Sequence, residues 1–137
     1  MITLPYQIPF HDVDSLNIVW HGHYYKYFEL ARTALYRSVE FDVDAMKTLG
    51  MSFPVIESQC RYPDSLRYGQ EINISANFQE WEYYIRIDYQ ISDATTEKRV
   101  AYGYTKQVAC SAEGSLHSSI PKSVTDIITG HQTKNIR

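Results

Sequence analysis

The sequence predicts an α+β fold, with one antiparallel sheet of five strands packed on one dominant helix. Two patterns carry this prediction. Five segments alternate apolar and polar residues with period two, and one stretch between the first and second of them repeats its apolar residues at helical spacing. Length sets the scale: 137 residues suit a single domain over 1–137, with 130–137 expected as a frayed tail.

In the first strand segment Ile2, Leu4, Tyr6, Ile8 and Phe10 share one face, and Pro5 and Pro9 fall on the other. Prolines lack an N–H for the ladder, so this is an edge strand. The helix follows, with Tyr24, Phe28, Ala31 and Leu35 at i, i+4, i+7 and i+11, flanked by Tyr27 and Ala34. Lys26, Glu29, Arg32 and Arg37 supply its polar side, and Gly22 stands at its N-cap. A shorter helix is expected over 42–49, ended by Gly50. The second strand segment, 53–62, alternates weakly, with Ile56, Ser58, Cys60 and Tyr62 against Val55, Glu57, Gln59 and Arg61. Segments 71–78 and 83–91 alternate cleanly. In 100–109, Val100, Tyr102, Tyr104 and Val108 oppose Ala101, Gly103, Thr105 and Ala109, a small-residue face suited to close approach by a helix or another backbone. Short connections between the last four segments predict a meander in chain order. A short helix is expected over 123–128. One helix covers one face of a sheet, so self-association is the economical cover for the rest.

Composition narrows the function. The net charge of −3, without a run of like charges, argues against nucleic-acid binding. No apolar run reaches membrane-spanning length and the first residues do not read as a secretory signal, so no membrane partner is expected. Cys60 and Cys110, fifty residues apart, suit a reduced cytoplasmic protein. The 12 Tyr, 5 Phe and 2 Trp point to a half-buried sheet, or to rings lining an interface or pocket with one wet end.

The chemistry concentrates in residues 11–24, HDVDSLNIVWHGHY, which place three His and two Asp in the loop before the helix. Three readings of this loop are open: turn chemistry built on Asp12, Asp14 and Asn17, a metal site of His and Asp, or a carboxylate working beside a helix N-terminus. The metal reading lacks a defined ligand spacing, so neither a metal nor a cofactor is expected.

Asp12, Asp14, Asn17, Val19, His21 and Tyr24, followed by Tyr27, Glu29, Ala31 and Arg32, form a pattern. It resembles the 4-hydroxybenzoyl-CoA thioesterase family of hotdog-fold acyl-CoA thioesterases. The resemblance implies a hotdog fold of strand–helix–four strands, with the sheet wrapped around the helix. It implies hydrolysis of an acyl- or aryl-CoA, with Asp14 as nucleophile or general base and the His21 backbone N–H polarising the thioester carbonyl. Tyr24, Asn17 and Trp20 become the expected substrate-binding residues. Asn17 stands where the family has Gly, and Asn tolerates the left-handed backbone such a turn needs. The implied partners are the CoA thioester and a second copy of the chain, as a homodimer or homotetramer. Arg61, Arg67 and Lys106 are candidate cations for the CoA phosphates. A non-catalytic acyl-CoA or acyl-carrier binding protein and a hotdog dehydratase are the alternatives. Glu29, a rival helix carboxylate, reads as a surface group paired with Lys26 or Arg32. Ser58 and Ser65 lack a nucleophile-elbow context.

Overall fold

A computed structural model describes residues 1–135. In chain order the elements are β1 (Ile2–Gln7), a 3-10 turn (Phe10–Asp12), α1 (His23–Ser38), α2 (Val43–Thr48), β2 (Met51–Ser52) and β3 (Val55–Arg61). Then come β4 (Glu71–Glu80), β5 (Ile85–Asp93), β6 (Arg99–Gln107), β7 (Cys110–Ser111) and α3 (Lys122–Asn135). Five strands form one antiparallel sheet in the order β1-β4-β5-β6-β3, and β2 and β7 make a separate two-stranded ribbon.

The edge position expected for β1 is present, and its outermost neighbour is β4. The chain-order meander holds for β4, β5 and β6 only. β3 crosses to the far edge and pairs with β6, Arg61 opposite Tyr102 and Ser58 opposite Thr105. The connection over 62–70 is long enough for that crossover, which leaves β4 free to take β1. Phe10 also departs from its alternation: the 3-10 turn swings it out to 72% exposure, against the edge of the Tyr68 ring. At the C-terminus α3 runs on through Gly130 to Asn135, where a frayed tail was the expectation, and 136–137 lie outside the described residues.

The apolar stripe of α1 meets the sheet as its spacing requires. Tyr24, Tyr27, Phe28, Ala31, Leu35 and Tyr36 are buried against Ile72, Ile74, Ala76, Phe78, Ile85, Ile87, Tyr89 and Ile91. Phe28 stacks on Tyr89 at 4.5 Å between ring centroids. The small-residue face of β6 is the face that meets the helix. A Cβ at Gly103 would lie 2.1 Å from the Gln59 carbonyl oxygen and 2.8 Å from Phe28. α3 adds buried Val124 and Ile128, and the Trp81 indole N–H donates to Thr129 Oγ1 at 3.0 Å. The opposite face of the sheet carries polar and aromatic residues. α2 is capped by Asp42, whose carboxylate accepts the Ala45 N–H.

Candidate functional site

The loop between β1 and α1 folds as a tight hairpin. Val13 and Val19 bridge, the Asp14 N–H donates to the Ile18 carbonyl, and the Asn17 N–H donates to the Asp14 carbonyl. Asn17 has φ 64, the left-handed conformation expected of an Asn standing in place of Gly. Asp14 is half-buried at this turn, and its Oδ1 accepts the Leu16 N–H at 2.8 Å. Its Oδ2 has no protein donor among the described residues.

The hairpin is pinned at both ends. Trp20 N–H donates to the Asp12 carbonyl, and Val19 N–H donates to the Leu66 carbonyl. Asp12 is the buried carboxylate of the loop, 1% exposed. Its Oδ1 takes Lys26 Nζ at 2.5 Å and its Oδ2 takes the Tyr27 hydroxyl at 2.7 Å, both from the first two turns of α1. His11 and His23 stand 3.6 and 3.9 Å from the same Oδ1. Burial pushes the Asp12 carboxyl up, but the hydrogen bonds from Lys26 and Tyr27 and the charges of Lys26 and His23 outweigh it, so it stays below the usual carboxylate value. Asp12 is therefore a structural anion with its lone pairs spoken for. No three His, Cys, Asp or Glu side chains converge as a metal site among the described residues.

α1 starts without a side-chain cap at Gly22. The His21 and Gly22 N–H groups donate to no protein acceptor among the described residues, while the His23 N–H turns back to the Trp20 carbonyl. Gly22 is required by contact: a Cβ there would come 2.2 Å from the Trp20 ring, which lies across it. Trp20, half exposed, meets His21 at 5.1 Å and His23 at 5.4 Å between centroids.

Tyr62, at the end of β3, joins this cluster. It stacks on Tyr24 at 5.1 Å and 10°, and on His21 at 6.2 Å and 11°. Tyr24 is buried, and burial lifts its phenol to about 12, partly offset by a hydrogen bond from the Leu66 backbone. So His21, Trp20 and Tyr24 are brought together as an aromatic wall at the helix start. Asp14 and Asn17 sit on the attached hairpin, and no hydrogen bond links Asp14 to the wall. Glu29 is exposed and in no ion pair among the described residues; Lys26 goes to Asp12 instead. Sequence reasoning missed two groups here. Asp12 reads as a turn residue because its partners lie 14 and 15 positions away, and Tyr62 reads as an ordinary strand tyrosine.

The thioesterase-like superfamily model matches residues 8–128 of this chain. An Aquifex aeolicus protein that carries a provisional esterase name is 25% identical over 122 residues, 89% of this chain and 93% of that one. Among solved structures, the hypothetical protein AQ1494 from Aquifex aeolicus superposes with a TM-score of 0.84 at 26% identity, covering 93% of this chain and 99% of its own. A 1,4-dihydroxy-2-naphthoyl-CoA thioesterase from Synechocystis superposes at 0.82 over 93% and 94% of the two chains; at 16% identity that likeness speaks for the fold.

Proposed function

The chain belongs to the thioesterase-like superfamily and has its hotdog fold, and from that premise we propose that it is an acyl-CoA thioesterase acting on an acyl- or aryl-CoA. The observation that carries this reading is local. A half-buried carboxylate, Asp14, sits on the hairpin that leads into α1, and the His21 and Gly22 N–H groups just before the helix have no acceptor among the described residues. Those N–H groups and the helix dipole suit a thioester carbonyl that becomes an oxyanion.

In the nucleophilic form of the reaction, an Asp14 carboxylate oxygen attacks the thioester carbon and the C–S bond breaks, releasing the thiolate of CoA. Water then cleaves the mixed anhydride and restores the carboxylate. In the general-base form, Asp14 takes a proton from water, whose oxygen attacks the thioester carbon; the C–S bond breaks and the proton passes to the leaving CoA thiolate. In both, the His21 N–H holds the carbonyl oxygen, a donor typically worth about 3–4 kcal/mol in the transition state. The Tyr24, Tyr62 and Trp20 rings wall the acyl group, and Asn17 shapes the turn that presents Asp14.

The test is Asp14→Asn, assayed on a panel of short, medium, long and aryl acyl-CoAs. The expected result is a loss of about a hundredfold or more in kcat, and an unchanged rate would refute Asp14's role. Tight acyl-CoA binding by a wild-type protein that never turns over would favour a binding protein instead. A second copy of the chain is part of the proposal. β3 is a free sheet edge, and six of its seven residues are exposed, Val55 and Ile56 among them. Such an edge suits strand pairing between protomers, and the homodimer or homotetramer is read by light scattering. Free Cys60 and Cys110 fit the proposed cytoplasmic setting.

A further inference from the structure

The outer face of the sheet is charged unevenly, and the register shows how. Toward one end, Glu57 lies opposite Lys106, which lies opposite Arg86, which lies opposite Glu80. In the next row Gln59, Tyr104, Asp88 and Asn77 face one another in turn. In these two rows every cation has a carboxylate partner. Arg86 pairs with Asp88 at 2.8 Å, Lys106 with Glu57 at 3.5 Å, and the Tyr104 hydroxyl donates to Glu57 at 2.6 Å. The row after that runs Arg61, Tyr102, Gln90, Ser75 and holds no carboxylate. Arg99 joins it by lying over the Tyr102 ring at 4.1 Å.

Neither Arg61 nor Arg99 has a carboxylate partner among the described residues. Two of the acidic groups near this end are engaged elsewhere: Asp64 takes Lys98 Nζ at 3.2 Å, and Asp93 takes the Thr95 and Thr96 N–H groups and the Gln70 amide. A guanidinium has five N–H donors in a fork that matches phosphate oxygens, and a contact with a ring leaves them available.

The position of this row matters as much as its charge. Arg61, Arg99 and Tyr102 line a groove of about 460 Å³ on the outer face, together with the Arg86–Asp88 ion pair. A smaller hollow over Cys60, Arg61, Tyr62, Pro63 and Tyr102 shares Arg61 and Tyr102 with that groove. Tyr62 is the residue that stacks on His21 and Tyr24 at the candidate thioester site. Arg61 ends β3 and lines the outer groove, while Tyr62, the next residue, stacks at the helix start, so the two carry one path around the end of β3.

We propose that Arg61 and Arg99, set about Tyr102, bind the phosphates of the CoA nucleotide while the acyl group lies at the helix start. This rests on the thioesterase reading for the identity of the ligand. It selects Arg61 among the candidate cations and adds Arg99, which the sequence does not single out. It sets Lys106 aside, since Glu57 already holds it.

The test is calorimetric binding of CoA, of adenosine 3′,5′-bisphosphate and of pantetheine to the wild type and to Arg61→Gln, Arg99→Gln, the double variant and Lys106→Gln. Turnover of acyl-CoA and of S-acyl-pantetheine is measured in parallel. Each arginine variant is expected to weaken CoA and the bisphosphate about tenfold and to raise KM for acyl-CoA. S-acyl-pantetheine turnover and the effect of Lys106→Gln should stay at wild-type level. A double variant whose CoA affinity is within about twofold of wild type overturns the proposal. So does an equal loss on the pantetheine substrate, an equal loss in Lys106→Gln, or a wild type that binds neither CoA nor the bisphosphate. A wild type that binds CoA through these arginines without hydrolysing acyl-CoA refutes the thioesterase reading and leaves this site standing.

Discussion

Replacing Asp12 with Ala tests the anchor on which the whole pre-helix hairpin hangs. The carboxylate is 1% exposed and accepts two hydrogen bonds, from Lys26 and from the Tyr27 hydroxyl. Bonds to a charged group contribute about 1.5–3 kcal/mol each. The Lys26 side chain is 38% exposed and regains water when released, so its share is discounted. Tyr27 is fully buried, and its stranded hydroxyl costs about 1–3 kcal/mol. The net expectation is a destabilisation of about 3 kcal/mol, or roughly 10 °C in Tm for a chain of this length. Asp12→Asn keeps an acceptor for Tyr27 and should lose about half as much. The assay is urea and thermal unfolding followed by circular dichroism, run across pH. In the folded protein the carboxyl sits below its ordinary 3.8, so its contribution is complete above that value and disappears as pH falls through the folded pKa. The gap between wild type and Asp12→Ala should therefore hold at neutral pH and close in acid. An alanine variant within about 0.5 kcal/mol of wild type at pH 7, or a gap that widens in acid, would refute this account of the anchor.

Gly103→Ala places a Cβ 2.1 Å from the Gln59 carbonyl oxygen, a backbone atom that cannot step aside. It should cost about 3 kcal/mol or prevent folding, read by the yield of soluble protein and its Tm. At Asn17, with φ 64, Ala should cost about 1 kcal/mol and Gly should be neutral or better; equal stability of both variants would argue against the left-handed turn. Gly22→Ala would set a Cβ 2.2 Å from the Trp20 ring and so must displace that ring. A changed tryptophan emission together with a raised KM is the expected signature, and emission identical to wild type would deny the contact.

Much of the fold is legible because its signals are local and periodic. The stripe of Tyr24, Phe28, Ala31 and Leu35 repeats within four turns of one helix, and each of these residues is buried. Pro5 marks β1 as an edge strand without reference to any partner. The small face of β6, with Gly103 at its centre, announces the close approach of helix and neighbouring strand. The crossover of β3 is not legible in this way. Strand pairing depends on which edges remain open after the helix is laid down, and 55–61 carry no clean alternation to declare a side.

The site divides along the same line. Local sequence chemistry pointed to turn residues before α1 and to Gly22 at its N-cap, and the family resemblance to a left-handed turn at Asn17, because turn and cap preferences act over a few residues. The family resemblance points to Asp14 over Asp12, but only the tertiary structure gives the physical reason. Asp12 turns inward to Lys26 and Tyr27 and is saturated, while Asp14 keeps an oxygen free. It likewise brought Tyr62 from the far edge strand onto Tyr24 and His21, and sorted the outer-face cations into those with a carboxylate opposite and those without. Burial and cross-strand register assign these roles, and both arise from contacts between residues far apart in the chain, which no local pattern encodes.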